Sequence, residues 1–204
     1  MSQVTDMQKG LYYIQQTQPN TSAYNIAFGA RITSTVSLST LEAAFQFVQT
    51  QHGVLRQTFV ESDGQILTQE QPEQHIHLVH HQSEQLDEVS LKMMVQACAK
   101  APFDLNTDLC LRADVFPTHD QQHVLLLSAH HANFDFWSLA LLLEQVANAY
   151  ECLASGQGFP ETPSVLQFDQ VVSEWASSQH TTQYQQAKQA VVENLADANT
   201  QLGI

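Results

Sequence analysis

Apolar positions along the chain follow two rhythms, and the switches between them mark out the elements. Thr5 is placed to cap a helix in which Met7, Leu11 and Ile14 recur at helical spacing until Pro19-Asn20 breaks the pattern. Tyr24 to Ile32 reads as a strand. Ser39-x-x-Glu42 has the form of a capping box ahead of Leu41, Ala44, Phe45 and Val48, with Gly53 closing that helix. Leu55 to Val60 and Gln65 to Gln69 flank Ser62-Asp63-Gly64, whose Asp-Gly pair supplies the positive φ of a tight hairpin turn.

A short strand is expected near Ile76 to Val79, then an amphipathic helix through Leu91, Met94, Val95 and Cys98. Leu109 to Phe116 and His123 to Ala129 form a second hairpin. In its second arm, Val124-Leu125-Leu126-Leu127 is apolar on both faces, the mark of a central strand covered on both sides. Helical spacing returns from Trp137 to Leu153 through Leu139, Leu142, Leu143, Val146 and Tyr150, with Ser155-Gly156 as the stop. A Gly/Pro-rich loop over 155–164 and two further helical stretches complete the chain. Strand pairs with covering helices, and no βαβ series, predict an α+β fold: a two-layer sandwich of a mixed or antiparallel sheet under helices. The expected division is an α/β core over about 1–160 and a helical segment over 161–204.

Composition narrows the function classes. Seven Lys and Arg against 21 Asp and Glu give a formal charge of −14, which repels a phosphate backbone and excludes nucleic acid as a partner. No apolar run is long enough for a bilayer and no leader-like N-terminus precedes Thr5, so the reading is a cytoplasmic protein without membrane contact. Cys98, Cys110 and Cys152 are widely spaced without a CxxC pair, which predicts buried reduced thiols. His75, His77, His80 and His81 have no matching carboxylate or cysteine spacing, so no metal site is expected. The many glutamines, scattered among periodic apolar residues, read as a solvated surface. No phosphate-cradling glycine motif is present.

One segment carries chemistry. Ser128-Ala129-His130-His131-Ala132-Asn133-Phe134-Asp135-Phe136-Trp137-Ser138 sets two imidazoles and a carboxylate in a short loop between a buried strand and a helix. An imidazole titrates near neutrality and can take a proton from an amine or hydroxyl and return it to a leaving group, as acyl transfer from a thioester requires. By itself the pair is more readily read as histidines satisfying backbone groups at a strand end. Ser128 lacks a GxSxG elbow, so no serine triad is indicated.

In order along the chain, several segments resemble the condensation-domain family of nonribosomal peptide synthetases. The loop is similar to the family's His-His-x-x-x-Asp-Gly hallmark, followed here by Trp137 and Ser138. Thr5 to Tyr12 resembles the opening motif built around a glutamine, here Gln8. Gln51 to Phe59 resembles an Arg-His-x-x-Leu-Arg-Thr-x-Phe motif containing Arg56. Tyr24-Asn25-Ile26, Pro102-Phe103-Asp104-Leu105, Leu109-Cys110-Leu111-Arg112, and Phe168-Asp169 with Trp175 match further landmarks.

The resemblance implies a chloramphenicol acetyltransferase-like lobe, the first of two, with the histidine loop facing a channel toward an absent C-terminal lobe. It implies His131 as catalytic base, His130 as a residue shaping the loop, and Asp135 as a brace paired with an arginine usually in the other lobe. Phe136, Trp137 and Ser138 would flank the substrate channel, while Gln8, Arg56 and Arg112 would be structural motif residues. Arg56 and Arg112 lie beside apolar strand residues, where buried hydrogen bonding is as strong a reading as partner contact. The implied partners are acyl or peptidyl carrier proteins bearing substrates on phosphopantetheine, with no directly bound cofactor.

Three positions depart from the pattern: Phe136 stands where the family usually has Gly, and Gln51 and Gly53 where it has Arg and Glu. The Phe136 departure suggests a subgroup working in hybrid polyketide–peptide lines. A non-catalytic docking or scaffold module that keeps the fold is the contrasting reading.

Overall fold

The computed structural model describes residues 1–120, 122–161 and 166–196. Two sheets organise it. A four-stranded sheet is built from β2 (Asn25–Ile32), β5 (Leu78–His80), β6 (Leu111–Pro117) and β7 (His123–His130), in the order β2-β7-β6-β5. Its pairs are antiparallel except for β5 and β6, which run parallel. A three-stranded sheet has the order β1-β4-β3, from β1 (Ser2–Gln3), β3 (Gln57–Ser62) and β4 (Gln65–Glu70). Among the described residues six α-helices accompany the sheets: α1 (Asp6–Thr17), α2 (Leu38–Gln51), α3 (Glu88–Ala99), α4 (Phe136–Ala154), α5 (Phe168–Ser178) and α6 (Thr182–Leu195).

The apolar run in β7 is explained by its position. Paired with β2 on one side and β6 on the other, β7 sends Leu125, Leu127 and Ala129 into the main core with α1, α2 and α4. Leu126 points to the opposite face and packs with Phe116 and with Leu91 of α3. Both faces are dry, as the sequence pattern requires. A rigid, doubly covered strand therefore ends at His130 and hands the chain to the loop. The Asp63-Gly64 turn also forms as expected, with φ of 52° and 72° closing β3 onto β4 in the register Ser62 opposite Gln65. At the far end of α4, Ser155 is the C-cap and Gly156, at φ 77°, reverses the chain.

Three expectations from the sequence need correction. In α1 the inward face is Gln8, Leu11, Tyr12 and Gln15; Met7 and Ile14 are exposed, so the apolar stripe drawn through them is the wrong face. The helix α2 starts earlier than the Ser39 capping box: Ser37 is the N-cap and its hydroxyl accepts from the Thr40 N–H at 3.2 Å, while Leu41, Ala44, Phe45 and Val48 are buried as read. Finally, the glutamines are not uniformly surface groups. Gln8, Gln15, Gln49 and Gln57 are buried. Gln49 shows how this is tolerated: its Nε2 donates to the carbonyls of Leu55 and Gln74, and its Oε1 accepts from the Ile76 N–H, so an amide in the core replaces backbone pairing.

The thiols also depart from the burial expected of them: all three are free, but only Cys110 is buried, while Cys98 and Cys152 are partly exposed. Among the described residues no helix is long and apolar enough to cross a membrane. The expected loop over 155–164 and the segment over 161–204 fall partly outside the described residues, at 162–165 and 197–204.

Candidate active site

The two histidines leave β7 in opposite environments. His130 is completely buried; its backbone N–H donates to Cys110 O at 3.0 Å and its ring meets Phe103 edge-on at 5.8 Å. Its Nδ1 accepts from the Ala132 N–H at 3.1 Å, so in the neutral ring Nε2 carries the proton, 3.3 Å from Gln15 Oε1. Gln15 in turn donates from Nε2 to Pro19 O at 3.2 Å. Burial pushes the His130 imidazole down to about 4, with the neighbouring His131 charge adding to the effect. At neutral pH it is an uncharged structural group.

His131 is exposed and turned by a different set of contacts. Its backbone N–H donates to Tyr24 O on β2 at 2.9 Å, and its ring Nδ1 lies 2.6 Å from Phe134 O. A carbonyl can only accept, so Nδ1 holds the proton and the Nε2 lone pair is left unengaged among the described residues. In the neutral ring, that is the tautomer a general base needs.

The loop is fixed from both ends. Asn133 N–H donates to His130 O at 3.1 Å. Its side chain accepts from Gln8 Nε2 at 3.0 Å and donates to Val54 O at 3.4 Å. Gln8 is doubly used, because its Oε1 accepts from the Thr5 N–H at 2.9 Å while Thr5 Oγ1 accepts from the Gln8 N–H, completing a capping box at α1. At the other end, Asp135 is the N-cap of α4: its Oδ1 accepts from the Ser138 N–H at 2.7 Å and the Ser138 hydroxyl at 2.6 Å. The Ser138 hydroxyl and then its amide hold the Asp135 carboxyl below the usual carboxylate range. Asp135 forms no ion pair among the described residues, so within this chain it works as a helix cap.

Phe136 and Trp137 occupy the first turn of α4 and are 74% and 72% exposed. Among the described residues Asp63 is the sole non-glycine with positive φ, so Phe136 takes the glycine position without backbone strain. Ser138 faces a groove shared with His52, Val54, Asn133, Leu141 and Phe168; His131 is outside its lining.

The two motif arginines hold structure. Arg56 ties Glu70 of β4 to Gln49 O at the end of α2, donating to both. Arg112 donates to Ala101 O at 3.1 Å and to Pro102 O and Asp108 Oδ2 at 2.7 Å, with its guanidinium 3.8 Å from the Phe103 ring centroid. It thereby fixes the ring that abuts His130. The departure at Gly53 has a steric reading. Gly53 N–H donates to Gln167 Oε1 at 2.8 Å, Gln167 Nε2 donates to Gln51 O at 3.0 Å, and a Cβ at 53 would stand only 3.3 Å from Gln167 Oε1. Gln15, Asn133 and Phe134 are site-forming residues that the sequence reading missed. The helical spacing of Gln8, Leu11, Tyr12 and Gln15 was the available signal for the first.

Comparison with known proteins gives the family. The family profile "Condensation domain" matches residues 1–191. Malpibaldin synthetase of Mortierella alpina is 29% identical over 165 residues, which is 79% of this chain and 3% of that protein. Polyketide synthase PksN of Bacillus subtilis is 27% identical over 167 residues, 82% of this chain and 3% of the relative. The starter condensation domain of rhizomide synthetase RzmA superposes with a TM-score of 0.86 at 20% identity, covering 98% of this chain and 48% of that one. The chain thus spans about half the length of that solved domain and a few per cent of the two larger relatives. With the profile covering nearly all of the sequence, the chain belongs to the condensation-domain family.

Proposed function

We propose that this chain supplies the histidine-bearing lobe of a catalyst that joins a carrier-bound acyl thioester to an amine or hydroxyl on a second carrier. The observation that carries the reading is the His131 tautomer: Nδ1 is committed to Phe134 O, and in the neutral ring Nε2 keeps a lone pair that no partner takes up among the described residues. In the reaction the acceptor amine attacks the thioester carbonyl while His131 Nε2 takes its proton. Collapse of the tetrahedral adduct breaks the C–S bond, and the imidazolium returns the proton to the leaving thiolate of the donor phosphopantetheine. The products are an amide, or an ester from a hydroxyl acceptor, and a free thiol.

His130 and Asp135 serve this step as positioning residues. Neutral, buried His130 anchors the loop without placing a second charge beside the base. Asp135 secures the start of α4, where Phe136 and Trp137 present large apolar surface to the substrate route or to a second lobe. A polyketide synthase among the relatives supports a hybrid polyketide–peptide setting.

The test is a synthetase module carrying this sequence, supplied with acyl-loaded donor and aminoacyl-loaded acceptor carriers and read by mass spectrometry of the carrier-bound product. His131→Ala should lower product formation by roughly 10²–10⁴-fold, the usual contribution of a general base. Near-normal product from a folded variant would instead favour the docking reading. The 204-residue chain alone should give no turnover, because near-attack geometry needs the second wall of the channel.

A further inference from the structure

On the face of the four-stranded sheet that α3 covers, three side chains of different chemistry converge. His81 follows β5, its backbone N–H extending the parallel pairing to Val115 O at 2.9 Å. Its ring stacks on Phe116 at 4.3 Å with 6° between planes, which fixes the direction of its nitrogens. Nε2 lies 2.7 Å from Asp114 Oδ1 and 4.0 Å from Cys98 Sγ. Asp114 comes from β6 and is buried, Cys98 comes from the last turn of α3, and one donor atom from each of the three lies within 4.8 Å of the others. The residues are 17 and 33 positions from His81, so no motif spacing announces them.

We propose that His81 Nε2, Cys98 Sγ and Asp114 Oδ1 form a site for a borderline-soft divalent cation of the zinc class, with solvent in the fourth position. Imidazole, thiolate and carboxylate together select this class over magnesium or calcium, which prefer oxygen alone. Usual zinc bond lengths put donor atoms roughly 3.3–3.6 Å apart, so the sulfur at 4.0 Å must close on Nε2 by about 0.5 Å and the 2.7 Å contact between Nε2 and Asp114 Oδ1 must open by about 0.6 Å, within reach of small χ adjustments. His81 is partly exposed, leaving a side open to water.

The charges match the ion. One thiolate and one carboxylate around a neutral imidazole balance a divalent cation. Without the ion, burial and the Asp114 charge hold the Cys98 thiol above its ordinary value. Binding releases the Cys98 proton to solvent and forms the S–metal bond. The His81 ring proton, donated from Nε2 to Asp114 in the free site, moves to Nδ1 so that the Nε2 lone pair can ligate. The ion would then clip the end of α3 to the sheet edge.

Cobalt(II) is the probe, because thiolate ligation gives it a near-ultraviolet charge-transfer band that histidine or carboxylate binding does not. The chelator-treated 204-residue chain should take up one equivalent with that band, lose it when zinc is added, and keep it when magnesium is added. Cys152→Ala should retain the band, and Cys98→Ala should abolish it with unchanged circular dichroism. His81→Ala should weaken binding by more than the roughly 10–100-fold that loss of a supporting hydrogen bond costs. A saturating titration without the band, or a band that survives Cys98→Ala, would overturn the site and leave His81 and Asp114 as an ordinary hydrogen-bonded pair.

Discussion

Adjacent histidines at the end of one strand are put to opposite uses here. His130 is sealed in the core, held at both nitrogens and kept neutral; His131 is exposed, held at one nitrogen and without a partner at the other among the described residues. The difference arises from where β7 ends, since His130 is the last residue of the covered strand and His131 is the first residue of the exposed turn beyond it. It follows that the inner half of the loop should answer to stability measurements and the outer half to kinetics.

The contrast is tested most sharply by paired alanine variants. His130→Ala should cost roughly 2–4 kcal/mol, because it opens a cavity beside Phe103 and leaves Gln15 Oε1 without its donor. His131→Ala should stay within about 0.5 kcal/mol of the parent. Denaturant titration of both decides it, and equal losses would show that the two positions are not divided between packing and chemistry.

A smaller effect is expected at the link between α1 and the loop. Gln8→Ala removes the capping-box acceptor and the bond to Asn133, for a loss of about 1–3 kcal/mol. Because Asn133 is then free to swing, catalysis in the complete enzyme should also fall. A variant with lowered melting and unchanged rate would show that the loop does not need this tie.

Acid sensitivity isolates His130. Its folded value of about 4 lies below the ordinary 6.5, so the unfolded chain binds the extra proton between those values. Stability should therefore be intact above about pH 6.5, fall as pH drops toward 4, and lose on the order of 1–3 kcal/mol across the window. His130→Gln should flatten that part of the melting-temperature profile, and an unaltered slope would remove His130 as its source.

A small change in stability is expected at Phe136. Its side chain is exposed and its backbone unstrained, so Phe136→Gly should cost about 0.5–1 kcal/mol, the helix-propensity penalty. The variant should nonetheless alter rates between matched donor thioesters of different size. If the rates hold and melting falls sharply, Phe136 acts in packing instead.

Much of the architecture was readable from the sequence because its causes are local. Thr5 caps three residues ahead, Asp63-Gly64 takes the positive φ of its own turn, and four consecutive apolar residues in β7 report two covered faces. The ordered motifs carried the family in the same way, each within a few residues. The misread face of α1 and the supposed solvation of the glutamines share one cause. Hydrophobic periodicity scores a glutamine as polar wherever it lies, while a core admits one whose donors and acceptors are all met.

Those partners are remote in sequence. Gln8 meets Asn133 across 125 positions, Gln15 meets His130 across 115, and His81 meets Asp114 across 33. The sequence by itself determined most of the elements, the Thr5 cap, the Asp63-Gly64 turn, the central strand and the loop that holds the imidazoles. Only the tertiary structure decided which imidazole is buried, which nitrogen is free and which polar side chains enter the core, because each depends on a hydrogen-bond partner brought close by folding rather than by the chain's own period.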